Sequence, residues 1–273
     1  MSGTRTEPRT QPRTELTSAD HRIGDVWWMD LTTTDMDQAT EFYAGLLGWM
    51  YTDAGPEFGN YHQAFKDGRV VAGLMAQGEE LQAASVPSAW TPYVSVESVE
   101  EVAAIARKRG GSVHVGPMQV GELGWMAVIA DPTGAAFGVW QPGTFTGASL
   151  INSPGALCWT EVRTTDVAAV QPFYEALFGW TAETTDMGGA PYVQFTLDGQ
   201  PAAGLMSLEG DLANVPSHWG VTVGVADLDA ALAYTRAHGG RVTFGPTTIP
   251  FGTFAGIVDP TGAALGIIQL ASQ

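Results

Sequence analysis

Two short stretches place an aromatic ring and a carboxylate two residues apart. GDVWWMDLTTTD (24–35) carries Trp28 and Asp30, and ALCWTEVRTTD (156–166) carries Trp159 and Glu161 at an offset of 131. In a β-strand alternate side chains share a face, so each tryptophan and its acid point the same way. An indole offers a flat surface on which a planar ring stacks, worth ~0.5–1.5 kcal/mol beyond area burial. The acid beside it can pair with an amine or accept hydrogen bonds from hydroxyls and phenols. Desolvated against the indole, the same carboxyl would have a raised pKa and could serve as a general base. Asp30 and Glu161 are therefore candidate ligand contacts and candidate catalytic bases. The chain carries no nucleophile–base pair, phosphate loop or dinucleotide fingerprint.

The elements around these pairs recur. DLTTTDMDQATEFYAGLLGW (30–49) aligns without gaps on EVRTTDVAAVQPFYEALFGW (161–180), with 8 of 20 positions identical. VAGLM and AAGLM, VPSAW and VPSHW, RGGSVHVGP and HGGRVTFGP, and two DPTGAA segments follow in the same order. A period near 130 suits a duplicated domain rather than a solenoid. Within the first repeat, alternation predicts a strand over 26–32. Helical spacing of Met36, Ala39, Phe42, Tyr43 and Leu46 predicts a helix opened by a Thr34/Asp37 capping box. A hairpin follows at KDGR, then a strand at WTPYVSVES, a helix at VEEVAAIARKRG and a short strand SVHV. The repeat closes on a hairpin turning at Asp131–Gly134. Each repeat thus reads as βαβββ twice. The predicted layout is a disordered tail (1–23), a first domain (24–142), a linker (143–154) and a second domain (155–273). Gly-rich 53–60 and 185–190 read as flexible lids.

Composition bounds the chemistry. The 273 residues hold 12 basic against 29 acidic side chains, a net charge of −17. Such a chain repels phosphate backbones and anionic membranes, which argues against nucleic-acid or membrane partners. No apolar run approaches the ~20 residues of a spanning helix. The opening residues lack the apolar core of a secretory signal. Cys158 is the single cysteine, which excludes an internal disulfide and fits a reducing cytoplasm. It reads as an inert, buried thiol.

Four βαβββ modules, the FYxxLxGW helix ends (42–49 and 173–180) and the two DPTGAA hairpins resemble the vicinal oxygen chelate superfamily. That group includes glyoxalase I, extradiol dioxygenases and bleomycin-resistance proteins. The resemblance, over about 24–270, implies an α+β fold in which four modules form two open-barrel domains, each a cup. It is nearest to tandem-duplicated members of antibiotic-producing bacteria, some from anthracycline biosynthetic clusters.

The resemblance also says where a divalent metal would be held. The family's ligand positions fall on Trp28, Gly73, Thr91 and Gly138 in the first repeat, and on Trp159, Gly204, Gly220 and Gly266 in the second. Glycine and tryptophan offer no side-chain donor and threonine is a poor one. The expectation is a cup without metal or other cofactor. Glycine at the former ligand positions would open space for a bulky guest. Trp28, Asp30, Thr91, Tyr93, Gly138 and Trp140 would line the first cup, Trp159 and Glu161 the second, with Met75 and Met206 at the rims. More aromatics make the first cup the expected binding site.

These readings converge on a metal-free protein that binds a planar aromatic natural product, polyketide or anthracycline-like, for self-resistance or as an accessory to biosynthesis. The alternative is a cofactor-independent isomerase, cyclase or lyase with Asp30 or Glu161 as base, rather than a glyoxalase or dioxygenase. Binding is the preferred reading. The expected protein is cytoplasmic, a monomer or homodimer, with a small aromatic molecule as its partner.

Overall fold

A computed structural model describes residues 15–186 and 191–271. The first repeat forms strands β1 (Val26–Thr33), β2 (Met50–Asp53), β3 (His62–Lys66), β4 (Arg69–Ala76), β5 (Ala89–Ser95), β6 (Ser112–Val120), β7 (Gly124–Ala130) and β8 (Ala136–Pro142). Its helices are α1 (Met36–Leu47), the short α2 (Glu79–Ala83) and α3 (Val99–Lys108). The second repeat supplies β9 (Leu157–Thr164), α4 (Val167–Phe178), β10 (Thr181–Asp186), β11 (Pro191–Leu197) and β12 (Gln200–Ser207). It continues with β13 (His218–Gly224), α5 (Leu228–Ala237), β14 (Arg241–Ile249), β15 (Gly252–Val258) and β16 (Ala264–Leu270).

Each repeat builds one eight-stranded mixed sheet, in the orders β2-β3-β4-β1-β5-β8-β7-β6 and β10-β11-β12-β9-β13-β16-β15-β14. The two modules of a repeat join through their first strands, β1 against β5 and β9 against β13, both antiparallel. The sheets are α+β and open, as the duplicated βαβββ pattern predicts. Because β1, β4, β5 and β8 are neighbours, alternate residues on these four strands converge on one concave face.

The opposite faces meet in a shared core. Met29, Leu31, Val162 and Leu205 are fully buried there. Helix α1 lies against α5 and α3 against α4, while central strands β1 and β5 approach β9 and β13. Gly45 on α1 permits this contact, since a Cβ there would overlap the Tyr234 ring. Tyr43 on α1 donates to Asp259 Oδ2 (2.9 Å) and Tyr174 on α4 to Asp131 Oδ2 (3.0 Å), tying each repeat to the other's DPTG turn. Both aspartates also close their own turns through Oδ1.

Several local expectations are corrected. Helix α1 is capped by Asp35, which accepts from Gln38 N, and not by a Thr34/Asp37 box. The SVHV strand runs on through Gly-Pro to Val120. Residues 1–14 and 187–190 lie outside the described residues, so most of the tail and part of the second lid segment do too. The rest of the tail, 15–23, makes contacts with the body of the chain. Glu15 pairs with Arg69 (2.7 Å) and accepts from Ser153, and Leu16 N donates to Ile151 O. The linker is packed as well, and Phe145 from it enters the first cup.

Candidate functional site

The sheet register sets the floor of each cup. In the first repeat Trp28 lies opposite Tyr93, Asp30 between Gly73 and Thr91, and Tyr93 opposite Gly138. The second repeats the grid with Trp159 opposite Thr222, Glu161 between Gly204 and Gly220, and Thr222 opposite Gly266. The sequence-predicted residues of each cup therefore do come together.

The first cup is filled by the protein itself. Asp30 Oδ1 accepts from Trp28 Nε1 (2.7 Å) and from Tyr61 Oη (2.5 Å), and Tyr93 also bonds to this carboxyl. Burial pushes the Asp30 carboxyl above its usual range, and the three donors only partly oppose the shift. A Cβ on Gly73 would overlap Tyr61 Oη and Asp30 Oδ1, and one on Gly138 the Tyr93 ring. The glycines here admit tyrosines from neighbouring strands, correcting the expectation of room for a guest. Phe145 packs edge-on against Trp28 and Trp140, with centroids 5.0 and 5.9 Å apart, and its carbonyl accepts from Trp140 Nε1 (2.9 Å). Trp28, Asp30, Tyr93 and Gly138 are buried, Thr91 and Trp140 half-buried, and Met75 is exposed at the rim.

The second cup is more open. Trp159, Glu161, Arg163, Met206, His218, Gly220, Thr222 and Gly266 are all half-buried. Trp159 Nε1 donates to Tyr192 Oη (2.9 Å), which stands 3.5 Å from Glu161 Oε2. Tyr192 occupies the space beside Gly204, as Tyr61 does beside Gly73, and Thr222 that beside Gly266. Arg163 donates through Nε to Glu161 Oε1 (2.8 Å), and its Nη2 makes an ion-pair contact with the same oxygen (2.6 Å). Gly220 differs from the other glycines of the cup floor. The nearest atoms to a Cβ there would be Glu161 Cγ and O at 3.7 Å and Arg163 Cζ at 3.8 Å. Burial, joined by the nearby Arg163 charge, lowers the His218 pKa, although hydrogen bonding of Nδ1 with Pro216 O (2.8 Å) opposes this. Glu161 also opposes the shift, and the net direction is downward.

Sequence reasoning missed Tyr61 and Tyr192, although both stand at the 131-residue offset across from the glycine pair. It also passed over Phe145, which belongs to the linker; Arg163 is placed on the cup face by the same alternation that puts Trp159 and Glu161 there, and Thr32 stands at its position in the first repeat. Two cavities lie elsewhere. An open groove of about 650 Å³ runs along Arg236, Arg241 and Phe244, and a crevice of about 230 Å³ lies between Leu47, Lys66, Gly155 and Val225. Neither joins an aromatic face to a convergent polar pair, so the second cup is the better candidate.

Curled sheets of paired βαβββ modules with a concave face at β1, β4, β5 and β8 define a class, and comparison with known proteins agrees. Residues 25–139 and 156–267 match the Glyoxalase/Bleomycin resistance protein/Dioxygenase superfamily, and the chain belongs to that family. "Putative glyoxylase CFP32" of Mycobacterium tuberculosis is 35% identical over 260 residues, covering 93% of this chain and 98% of that protein. "Anthracycline biosynthesis protein DnrV" of Streptomyces peucetius is 33% identical over 254 residues, covering 89% and 92%. The fold is shared with an Mn(II)-bound glyoxalase from Novosphingobium aromaticivorans, at 14% identity and a TM-score of 0.62 over 91% of this chain and 82% of that one. It is shared likewise with the 2,3-dioxygenase LapB of Pseudomonas sp. KL28, at 11% identity and a TM-score of 0.60 over 91% and 92%.

Metalloenzymes of this fold need several donors converging between the central strands. Here those places hold Trp28, Gly73, Thr91 and Gly138, or Trp159, Gly204, Gly220 and Gly266, and tyrosine side chains fill the space beside Gly73, Gly138 and Gly204. Among the described residues no three His, Cys, Asp or Glu side chains converge. The donor set does not fit a divalent ion.

Proposed function

We propose that the chain is a small-molecule-binding protein whose second cup holds a planar aromatic natural product, of polyketide or anthracycline type, without transforming it. It would act in the cytoplasm, as a monomer or homodimer, in self-resistance or as an accessory to biosynthesis. The observation that carries this reading is the half-open Trp159 face beside the Glu161–Arg163 pair, above a glycine at 220 that leaves the floor clear. Few polar groups converging in an aromatic cup suit such a ligand. The relatives named for anthracycline biosynthesis support the ligand class.

A base-catalysed reaction has less support. Asp30 is only 8% exposed and engaged by three donors, and Glu161 is tied to Arg163. Tryptophan-fluorescence titration with a tetracyclic anthraquinone tests the binding reading. Saturable quenching is expected in the native protein, and Gly220→Leu, which would cover the floor, should weaken it roughly tenfold or more. Equal affinity in both proteins counts against the second cup.

A further inference from the structure

The Glu161–Arg163 pair is a reading head as well as an ion pair. Arg163 meets a single oxygen, Glu161 Oε1, through a hydrogen bond from Nε and an ion-pair contact from Nη2. The guanidinium has five N–H donors in a fixed fork, so the Nη1 side keeps donors to spare. Among the described residues, Glu161 Oε2 accepts from the Tyr192 hydroxyl alone, at 3.5 Å. A guanidinium with spare donors and a weakly engaged carboxylate oxygen thus belong to one pair whose charges cancel. The side chains are 28% and 16% exposed, reachable from the cup yet mostly shielded from water. Gly220 puts no side chain where a Cβ would sit 3.8 Å from Arg163 Cζ, and burial lowers the pKa of His218, which lies opposite Arg163 in the sheet. A carboxylate ligand would face Glu161 and a chain of net charge −17, and an ammonium ligand would face Arg163.

We propose that the second cup selects neutral planar aromatics whose ring edge carries a hydrogen-bond donor beside an acceptor, as in a lactam or a hydroxy-carbonyl. The ligand's acceptor takes a hydrogen bond from an N–H of Arg163, its donor makes one to Glu161 Oε2, and the ring lies on Trp159. The inference rests on the binding reading above and adds Arg163 and Glu161 as the residues that set specificity. The first cup cannot do this, because Thr32 stands at the position of Arg163 and Asp30 is already saturated.

Three bicyclic probes separate the terms: 2-quinolinone, with N–H beside C=O; its N-methyl derivative, which keeps only the acceptor; and naphthalene, which has neither. Titration calorimetry of the full chain should give 2-quinolinone an affinity about tenfold above the N-methyl derivative, the size of one well-made hydrogen bond to a charged group. The double variant Glu161→Met, Arg163→Met exchanges the pair for apolar side chains of similar length, a change that commonly leaves stability intact. It should still bind naphthalene and should lose the preference for 2-quinolinone. Equal affinity of all three probes for the native protein would overturn the inference while leaving the aromatic cup standing. A preference that survives in the double variant would also overturn it. Binding of none of the probes would overturn the cup reading and the inference with it.

Discussion

Tyr43 and Asp259 are 216 residues apart in the chain and joined by a 2.9 Å hydrogen bond in the buried seam between the repeats. Trp90 Nε1 donates to the same tyrosine oxygen (2.9 Å), so one hydroxyl serves two partners. Tyr174, Asp131 and Trp219 repeat the arrangement, with distances of 3.0 and 2.8 Å. Tyr43→Phe removes a donor from a buried carboxylate and an acceptor from a buried indole. It should cost about 1–3 kcal/mol in urea unfolding, and Tyr174→Phe should match it. A change under about 0.5 kcal/mol would mean that water replaces the hydroxyl at the seam.

The pH dependence of Asp30 has a definite sign. Burial raises the folded-state pKa of this acid above its unfolded value. Its contribution is then fully present below the unfolded pKa and is lost as pH rises through the folded one. Asp30→Asn removes the titration, so the variant should gain stability relative to the native protein as pH rises from about 4 to 7. Urea unfolding at several pH values checks this. A variant that loses ground over that range would mean that the Trp28, Tyr61 and Tyr93 donors outweigh burial.

The glycines of the cup floors divide into two kinds. Gly73→Ala would push a methyl into Tyr61 and Asp30, and should cost about 1–3 kcal/mol by overpacking. Gly220→Ala meets no atom closer than 3.7 Å and should leave stability within about 0.5 kcal/mol. Thermal denaturation of the two variants distinguishes a filled floor from an open one. Similar melting temperatures would remove the contrast between the cups.

Much of this was legible in the chain because it depends on order and period. The duplicated βαβββ pattern predicts the sheets, and the period of two puts Trp28 with Asp30 and Trp159 with Glu161 on the concave faces. What the pattern cannot convey is which side chain fills a space. Gly73 and Gly220 read alike as vacated ligand positions, yet Tyr61, just ahead of the adjacent strand β3, occupies the one, whereas a Cβ at the other would meet no atom closer than 3.7 Å. Phe145 escaped notice because a segment rich in Gly, Ser and Thr carries no periodicity. Its entry into the first cup closes the one with more aromatics and leaves the second as the better site.

Cys158 lies half-exposed as a residue, but its sulfur is near Ala156 O (3.5 Å) and Ser153 O (4.0 Å), and burial pushes the thiol up to about 12. Since the thiolate is the reactive form, alkylation at pH 8 should be slow in the native protein and fast in urea. Fast labelling of the native protein would show that the start of β9 near Gly224 opens.

The most direct measurement is native mass spectrometry of the protein mixed with polycyclic aromatic metabolites, weighing both the complex and the compound released from it. One equivalent of compound, recovered at its original mass and lost from the Trp159→Ala variant, is the predicted result. A released compound of altered mass, or a complex indifferent to Trp159, would contradict the assignment of the second cup as a binding site.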